Sequence, residues 1–129
     1  MSQGSFILVV DDHPVNLKLI RVLLQSEGYE VRVATDAADA LRILDSALPG
    51  LILMDVQLPD IDGLELTRRL KADPRTSAIP IVAVTAYAMK GDEERMLAAG
   101  CVAHVAKPID TRGLCALVAG VLRSSDVDG

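Results

Sequence analysis

Phe6-Ile7-Leu8-Val9-Val10 is an apolar run closed by Asp11-Asp12-His13, and Leu51-Ile52-Leu53-Met54 repeats the pattern, closed by Asp55. Runs this short, without polar alternation, read as strands buried on both faces. Parallel strands under helices look like this, and the stretches between the runs supply the helices. Residues 15–27 carry Leu17, Ile20 and Leu24 at helical spacing, with Gly28 as a stop. Residues 31–34 read as a short strand, and Asp36 can cap a helix with Ala37, Ala40, Leu41 and Leu44 on its inner face. Pro49-Gly50 breaks the chain before the 51–54 run, and residues 59–63 form a turn-rich loop. Helical spacing resumes over 64–72 through Leu66 and Leu70, and Pro80 precedes a fourth strand at 81–84. Residues 91–99 read as a charged helix with Met96 and Leu97 inward, stopped by Gly100. A fifth strand at 102–106 and a helix at 111–122 with Leu114, Leu117, Val118 and Val121 on one face complete the series.

Five strand–helix units in 129 residues define a doubly wound α/β domain. Right-handed crossovers leave few topologies, and the flavodoxin-like order 2-1-3-4-5 suits this size. The domain is expected over residues 6–123, between short polar stretches at 1–5 and 124–129; the latter reads as a free terminus or the start of a linker. Half the residues are apolar but aromatics are 2%, so Leu, Ile, Val and Ala must build the core. A net charge of −5 opposes non-specific nucleic-acid binding and an anionic membrane surface. No apolar run is long enough to span a bilayer, and the first residues lack the apolar stretch of a secretory signal. Cys101 and Cys115 form no C-x-x-C pair and read as free thiols in a reducing cytoplasm. With His104 they lack a fourth zinc ligand and a recognised zinc spacing.

Ligands of such sheets bind at the carboxyl ends of the strands. There stand Asp11, Asp12 and His13 after strand one, Asp55 after strand three, Thr85 after strand four, and Lys107-Pro108 after strand five. These residues are expected to share one pocket. Any single aspartate there could merely cap a helix. Three aspartates with a threonine and a lysine at successive strand ends are harder to explain as caps. Crowded carboxylates repel, each raising the others' proton affinity, and ask for a cation; hard oxygen donors suit Mg²⁺, or Mn²⁺, better than zinc. Magnesium, carboxylates, a hydroxyl and an ammonium together are equipment for a phosphoryl group. Asp55, at the end of the central run, is the best nucleophile, and its product would be an acyl phosphate. His13 reads either as a ligand or base, or as a residue shaping the turn beside Pro14.

Val9-Val10-Asp11-Asp12-His13, Met54-Asp55-Val56-Gln57-Leu58-Pro59 with Asp62-Gly63, Thr85-Ala86-Tyr87-Ala88 and Lys107-Pro108-Ile109 together resemble a response-regulator receiver domain of two-component signalling. The wording is similar to that of DivK-like single-domain regulators and of receivers attached to hybrid histidine kinases. The resemblance implies that Asp55 accepts a phosphoryl group from a phosphohistidine. It implies that Asp12 binds Mg²⁺ directly and Asp11 partly through water, with Asp55 and the backbone carbonyl of Gln57 completing the protein's share. Thr85 would be the switch hydroxyl, Lys107 would bridge to the phosphoryl group, and the Lys107-Pro108 bond would be cis. The expected partners are a sensor histidine kinase or histidine phosphotransfer protein, which would dock near Asn16, Leu19, Leu23 and the Pro108-Ile109 loop. A downstream target or an output domain outside this chain would meet helix four, strand five and helix five.

One position departs from the family pattern: His104 stands where Tyr or Phe is usual, three residues before the lysine. Imidazole is planar but smaller and titratable near neutral pH, so His104 reads either as a switch residue or as a plain surface histidine. Tyr87 is a second candidate for a moving aromatic, and Gln57 and Tyr87 would tune hydrolysis of the phosphoryl group. Three rival readings fit less well. An aspartyl phosphatase of the haloacid-dehalogenase type needs a general acid two residues after its nucleophile, where Gln57 stands. No Walker-type or dinucleotide-binding glycine motif follows the first strand. A receiver-like module that signals without phosphate is opposed by the intact set of Asp11, Asp12, Asp55, Thr85 and Lys107.

Overall fold

The computed structural model describes residues 6–86 and 90–128. Its elements, in chain order, are β1 (Ile7–Val10), α1 (Pro14–Ser26), β2 (Val31–Ala34), α2 (Ala37–Ser46), β3 (Leu51–Asp55), α3 (Gly63–Ala72), β4 (Ile81–Thr85), α4 (Lys90–Ala99), β5 (Ala103–Ala106) and α5 (Thr111–Asp128). The five strands form one parallel sheet in the order β2-β1-β3-β4-β5. The flavodoxin-like order expected from the sequence is therefore the observed one. β1 and β3 are neighbours although β2 lies between them in the chain, so the winding direction reverses there. A crevice at the carboxyl ends of strands opens at such a reversal.

Strand alternation divides the core in two. Leu8, Val10, Ile52, Met54, Ile81 and Ala83 face α2, α3 and α4. Ile7, Val9, Leu51, Leu53, Val82 and Val84 face α1 and α5. β1, β3 and β4 are buried throughout, as continuous apolar runs require, whereas the edge strands β2 and β5 are partly open. Helix boundaries follow local chemistry. Pro14 occupies the first turn of α1, where its missing N–H is not needed. Asp36 caps α2 by accepting from the Asp39 N–H at 2.7 Å. Gly28 and Gly100, at φ 95° and 111°, carry the left-handed turns that end α1 and α4.

Three expectations need correction. Leu97 was expected to face inward on α4 but is 62% exposed, while Met96 beside it is 2% exposed. Successive helical residues lie about 100° apart, so one narrow stripe takes only one of two adjacent apolar side chains. Met96 and Ala99 form that stripe. Leu41 on α2 is exposed for the same reason, and the buried stripe is Ala37, Ala40 and Leu44. The backbone of α5 runs on through Asp128, past the polar residues at 124 that were expected to end it.

Candidate functional site

Register brings the strand-end residues together. Val10 pairs with Met54, so Asp11 and Asp55 emerge side by side from β1 and β3. Thr85 pairs with Ala106, and the Lys107 N–H donates to the Thr85 carbonyl at 2.8 Å, so Lys107 stands at the same edge. Asp11, Asp55 and Lys107 continue the alternation of Val9, Leu53 and Val105, the residues facing α1 and α5. The peptide bond between Lys107 and Pro108 is cis.

Asp11 and Asp55 are almost wholly buried, at 1% and 2% exposure. One oxygen of each is held by the backbone. The His13 N–H donates to Asp11 Oδ1 at 2.8 Å, and the Gln57 N–H donates to Asp55 Oδ1 at 3.0 Å. The other oxygens, Asp11 Oδ2 and Asp55 Oδ2, are buried without a hydrogen-bond partner. Lys107 Nζ lies 3.7 Å from the first and 3.4 Å from the second. The Asp55 carboxyl is pushed above its ordinary range. Burial is the main cause, and the nearby Asp11 charge adds to it, against the lowering effects of the Gln57 N–H and Lys107. Loss of hydration, more than crowding of carboxylates, thus dominates.

Buried carboxylate oxygens without donors are costly unless a cation meets them. The donor set here is oxygen-rich and includes the more exposed Asp12, which suits a hard divalent ion. Among the described residues, the His, Cys, Asp and Glu side chains close enough to hold a metal are Asp11, Asp12, His13 and Asp55, with ligand atoms within 4.8 Å of one another. Cys101 and Cys115 are both free thiols. Cys101 packs in the core on the α3–α4 side, away from this group.

Thr85 alternates with Ala83 and so belongs to the other face. It lines a cavity of about 350 Å³ with Val56, Gln57, Asp62, Asp92, Arg95 and Met96. The charged cluster thus continues the α1–α5 face and the cavity the α3–α4 face, both at the carboxyl ends of the strands. His104 pairs in register with Ala83, is about one-third exposed, and its Nε2 lies 3.7 Å from Glu93 Oε1 of α4. Tyr87 lies outside the described residues.

The loop between β3 and α3 borders both the cluster and the cavity and is fixed at several points. Asp62 caps α3 by accepting from the Leu64 N–H at 2.8 Å, and the Gly63 N–H donates to the Val56 carbonyl at 2.8 Å. A Cβ on Gly63 would stand 2.0 Å from the Asp55 carbonyl oxygen, so only glycine permits this approach. The Asp60 carboxylate accepts from the Ala37 and Ala38 N–H groups at the start of α2, and the Ala37 bond leads in holding its pKa below the ordinary value. Sequence reasoning missed Asp60, and also Arg95, which lies 4.0 Å from Asp62 across the cavity and 3.6 Å from Asp92, one turn earlier on α4. The contacts of Asp60 with α2 and of Arg95 with Asp62 carried no sequence signal, because each crosses a gap between elements.

A parallel α/β sheet with buried carboxylates and a lysine at its carboxyl edge belongs to a recognisable class of signalling domain. The family model described as response regulator receiver domain matches residues 7–119, and the chain belongs to that family. It is a receiver domain of two-component signalling, a signalling switch rather than a conventional enzyme. The polar-differentiation response regulator DivK of Brucella anthropi is 47% identical over 103 residues, covering 80% of this chain and 84% of that protein. A receiver domain protein from Methanospirillum hungatei superposes with a TM-score of 0.89 at 30% identity, covering 97% of this chain and 98% of that one. The receiver domain of a sensor histidine kinase from Pseudomonas aeruginosa superposes with a TM-score of 0.83 at 36% identity, covering 92% and 97%. That structure has a magnesium ion coordinated in its active-site cleft. No helix among the described residues is long and apolar enough to cross a membrane.

Proposed function

We propose that this receiver takes a phosphoryl group on Asp55 from a phosphohistidine, and that the acyl phosphate so formed is the signal. The observation that carries this reading is Asp55 Oδ2: buried, without a hydrogen-bond donor, and 3.4 Å from the Lys107 ammonium. In the transfer, an Asp55 oxygen bonds to phosphorus as the phosphorus–nitrogen bond of the donor breaks. The electron pair stays on that nitrogen, which leaves as neutral imidazole when the ring's other nitrogen carries a proton. Attack by water on phosphorus later returns inorganic phosphate and the free carboxylate.

Asp11, Asp12, Asp55 and the backbone carbonyl of Gln57 would hold Mg²⁺, with Mn²⁺ as an alternative. When bound, the ion supplies neutralisation of charge on the transferring group. Lys107 balances the negative charge from the opposite side and holds a phosphoryl oxygen. The Thr85 hydroxyl donates to another oxygen. About two added negative charges then bias the β4–α4 region, with the cavity giving it room to move. His104 and Tyr87 are the candidates for the responding ring.

The donor is a sensor histidine kinase or histidine phosphotransfer protein. It docks on α1 at Asn16, Leu19 and Leu23 and on the Pro108-Ile109 loop. Exposed Val15, Leu19 and Val22 supply apolar contact area on that helix. The receiving partner, a separate protein or an output domain, meets α4, β5 and α5, where Leu97 and Val102 are exposed. The working unit is the domain over residues 6–123, and the cytoplasm is its place.

Intact-protein mass after incubation with a small acyl phosphate tests the reading. One phosphoryl adduct is expected in wild type with Mg²⁺, and none without Mg²⁺ or in Asp55→Asn. An adduct that persists in Asp55→Asn would reject Asp55 as the acceptor.

A further inference from the structure

His13 does more than shape the turn into α1. Its Nδ1 lies 3.1 Å from Asp11 Oδ1, 3.3 Å from Asp12 Oδ1 and 3.9 Å from Asp55 Oδ2. The ring side chain is 58% exposed, yet it turns this nitrogen inward, toward three carboxylates. An unprotonated nitrogen facing two anionic oxygens is repelled, so something positive must stand between them: the ring's own proton or a metal ion.

We infer that His13 Nδ1 is a fourth side-chain ligand of this receiver's metal centre and shifts its preference from Mg²⁺ toward first-row transition ions. Two observations carry this. The first is the pair of buried oxygens, Asp11 Oδ2 and Asp55 Oδ2, which have no hydrogen-bond donor and belong to the same cluster. The second is spacing. Ligands in neighbouring positions of an octahedron with bonds of about 2.1 Å stand about 3.0 Å apart, and opposite ones about 4.2 Å apart. The separations of 3.1, 3.3 and 3.9 Å fall within that range, so a metal fits with small shifts. The ligating form carries its proton on Nε2, and the exposed ring gives that N–H access to water. Imidazole is a poor ligand for Mg²⁺ but a good one for Co²⁺, Ni²⁺ and Zn²⁺. An all-oxygen site would show this preference more weakly.

The inference rests on the proposed metal site but fails separately from it. The chain has two histidines, His13 and His104, so any imidazole signal can be assigned in tag-free protein. The probes are Mn²⁺, read by pulsed electron paramagnetic resonance at mildly alkaline pH, and Co²⁺ against Mg²⁺, read by calorimetric titration. Bound Mn²⁺ should show nitrogen coupling in wild type and in His104→Ala, and none in His13→Ala. The ratio of Co²⁺ to Mg²⁺ affinity should fall in His13→Ala by about tenfold to a hundredfold, the range for groups that support a metal site. Mn²⁺ bound to wild type without nitrogen coupling, coupling that survives in His13→Ala, or an unchanged affinity ratio would each overturn the inference and leave the oxygen site standing. Failure of Mn²⁺ and Mg²⁺ to bind wild type at all would overturn both. The wild-type spectrum decides the matter even if His13→Ala folds poorly.

Discussion

On the α1–α5 side of the carboxyl edge, Asp11, Asp55 and Lys107 are packed into a buried charge cluster. On the α3–α4 side, Thr85 borders a cavity of about 350 Å³ with charged walls. The same sheet makes both, one residue apart in strand alternation. The first side holds the carboxylates and the lysine; the second has space and a hydroxyl. Under the proposed function, group transfer falls to the charged side and movement to the open one. The loop from Asp55 to Gly63 borders both, so it is the place where one side can influence the other.

Altering that loop should break the comparison most severely. Gly63→Ala drives a methyl group into the Asp55 carbonyl, backbone that cannot yield cheaply. The expected cost is about 3 kcal/mol, read by denaturant unfolding, with loss of phosphoryl uptake. An unfolding midpoint equal to wild type would show that the loop does not hold the two sides in register.

The open side alone is probed by neighbouring residues of α4. Met96→Ala should cost about 2–3 kcal/mol, at the low end for such a truncation because the adjoining cavity lets the site relax. Leu97→Ser should stay within about 0.5 kcal/mol, since that side chain already faces water. Equal losses at both positions would contradict the orientation of the helix.

The charged side has a signature of opposite sign. The folded pKa of Asp55 lies above the ordinary value of 3.8, so the folded state binds that proton more tightly than the unfolded chain. Its stabilising contribution is full when the carboxyl is protonated, and it is lost as pH rises through the folded pKa. At neutral pH the ionised group therefore opposes folding. Asp55→Asn in chelator-treated protein should raise Tm at pH 7 by about 2–4 °C, a mild effect for a domain of this size. The gain should shrink in acid and reverse with saturating Mg²⁺, which stabilises only a protein that binds it. A lower Tm in chelator at pH 7 would mean that Lys107 outweighs burial.

The smallest effect on the charged side should come from Thr85→Ala. Mg²⁺ affinity should stay within about twofold, because the hydroxyl lies outside the donor set. The chemical-shift change at His104 on phosphorylation should disappear. A His104 response that survives would separate that ring from the threonine.

The site was legible at Asp11, Asp55 and Lys107 because each follows an apolar strand directly, and chain direction in a parallel sheet puts all such residues at one edge. The motifs added the resemblance to receivers, which the family match supports across residues 7–119. Legibility failed where neighbours come from distant segments. Asp60 reaches the start of α2 and Arg95 faces Asp62 across a gap, and no local pattern marks either.

The sequence by itself determined the five strands, the helices between them and the identity of the residues at the carboxyl edge. Periodicity and hydrophobicity are local, and they need no knowledge of what lies across the sheet. Only the tertiary structure decided that Thr85 lines a cavity with residues of α4, that Leu97 faces water, and that His13 turns a nitrogen toward three aspartates. Each depends on a face or a distance between segments, and about 100° of helix rotation or one step of strand alternation reverses the answer.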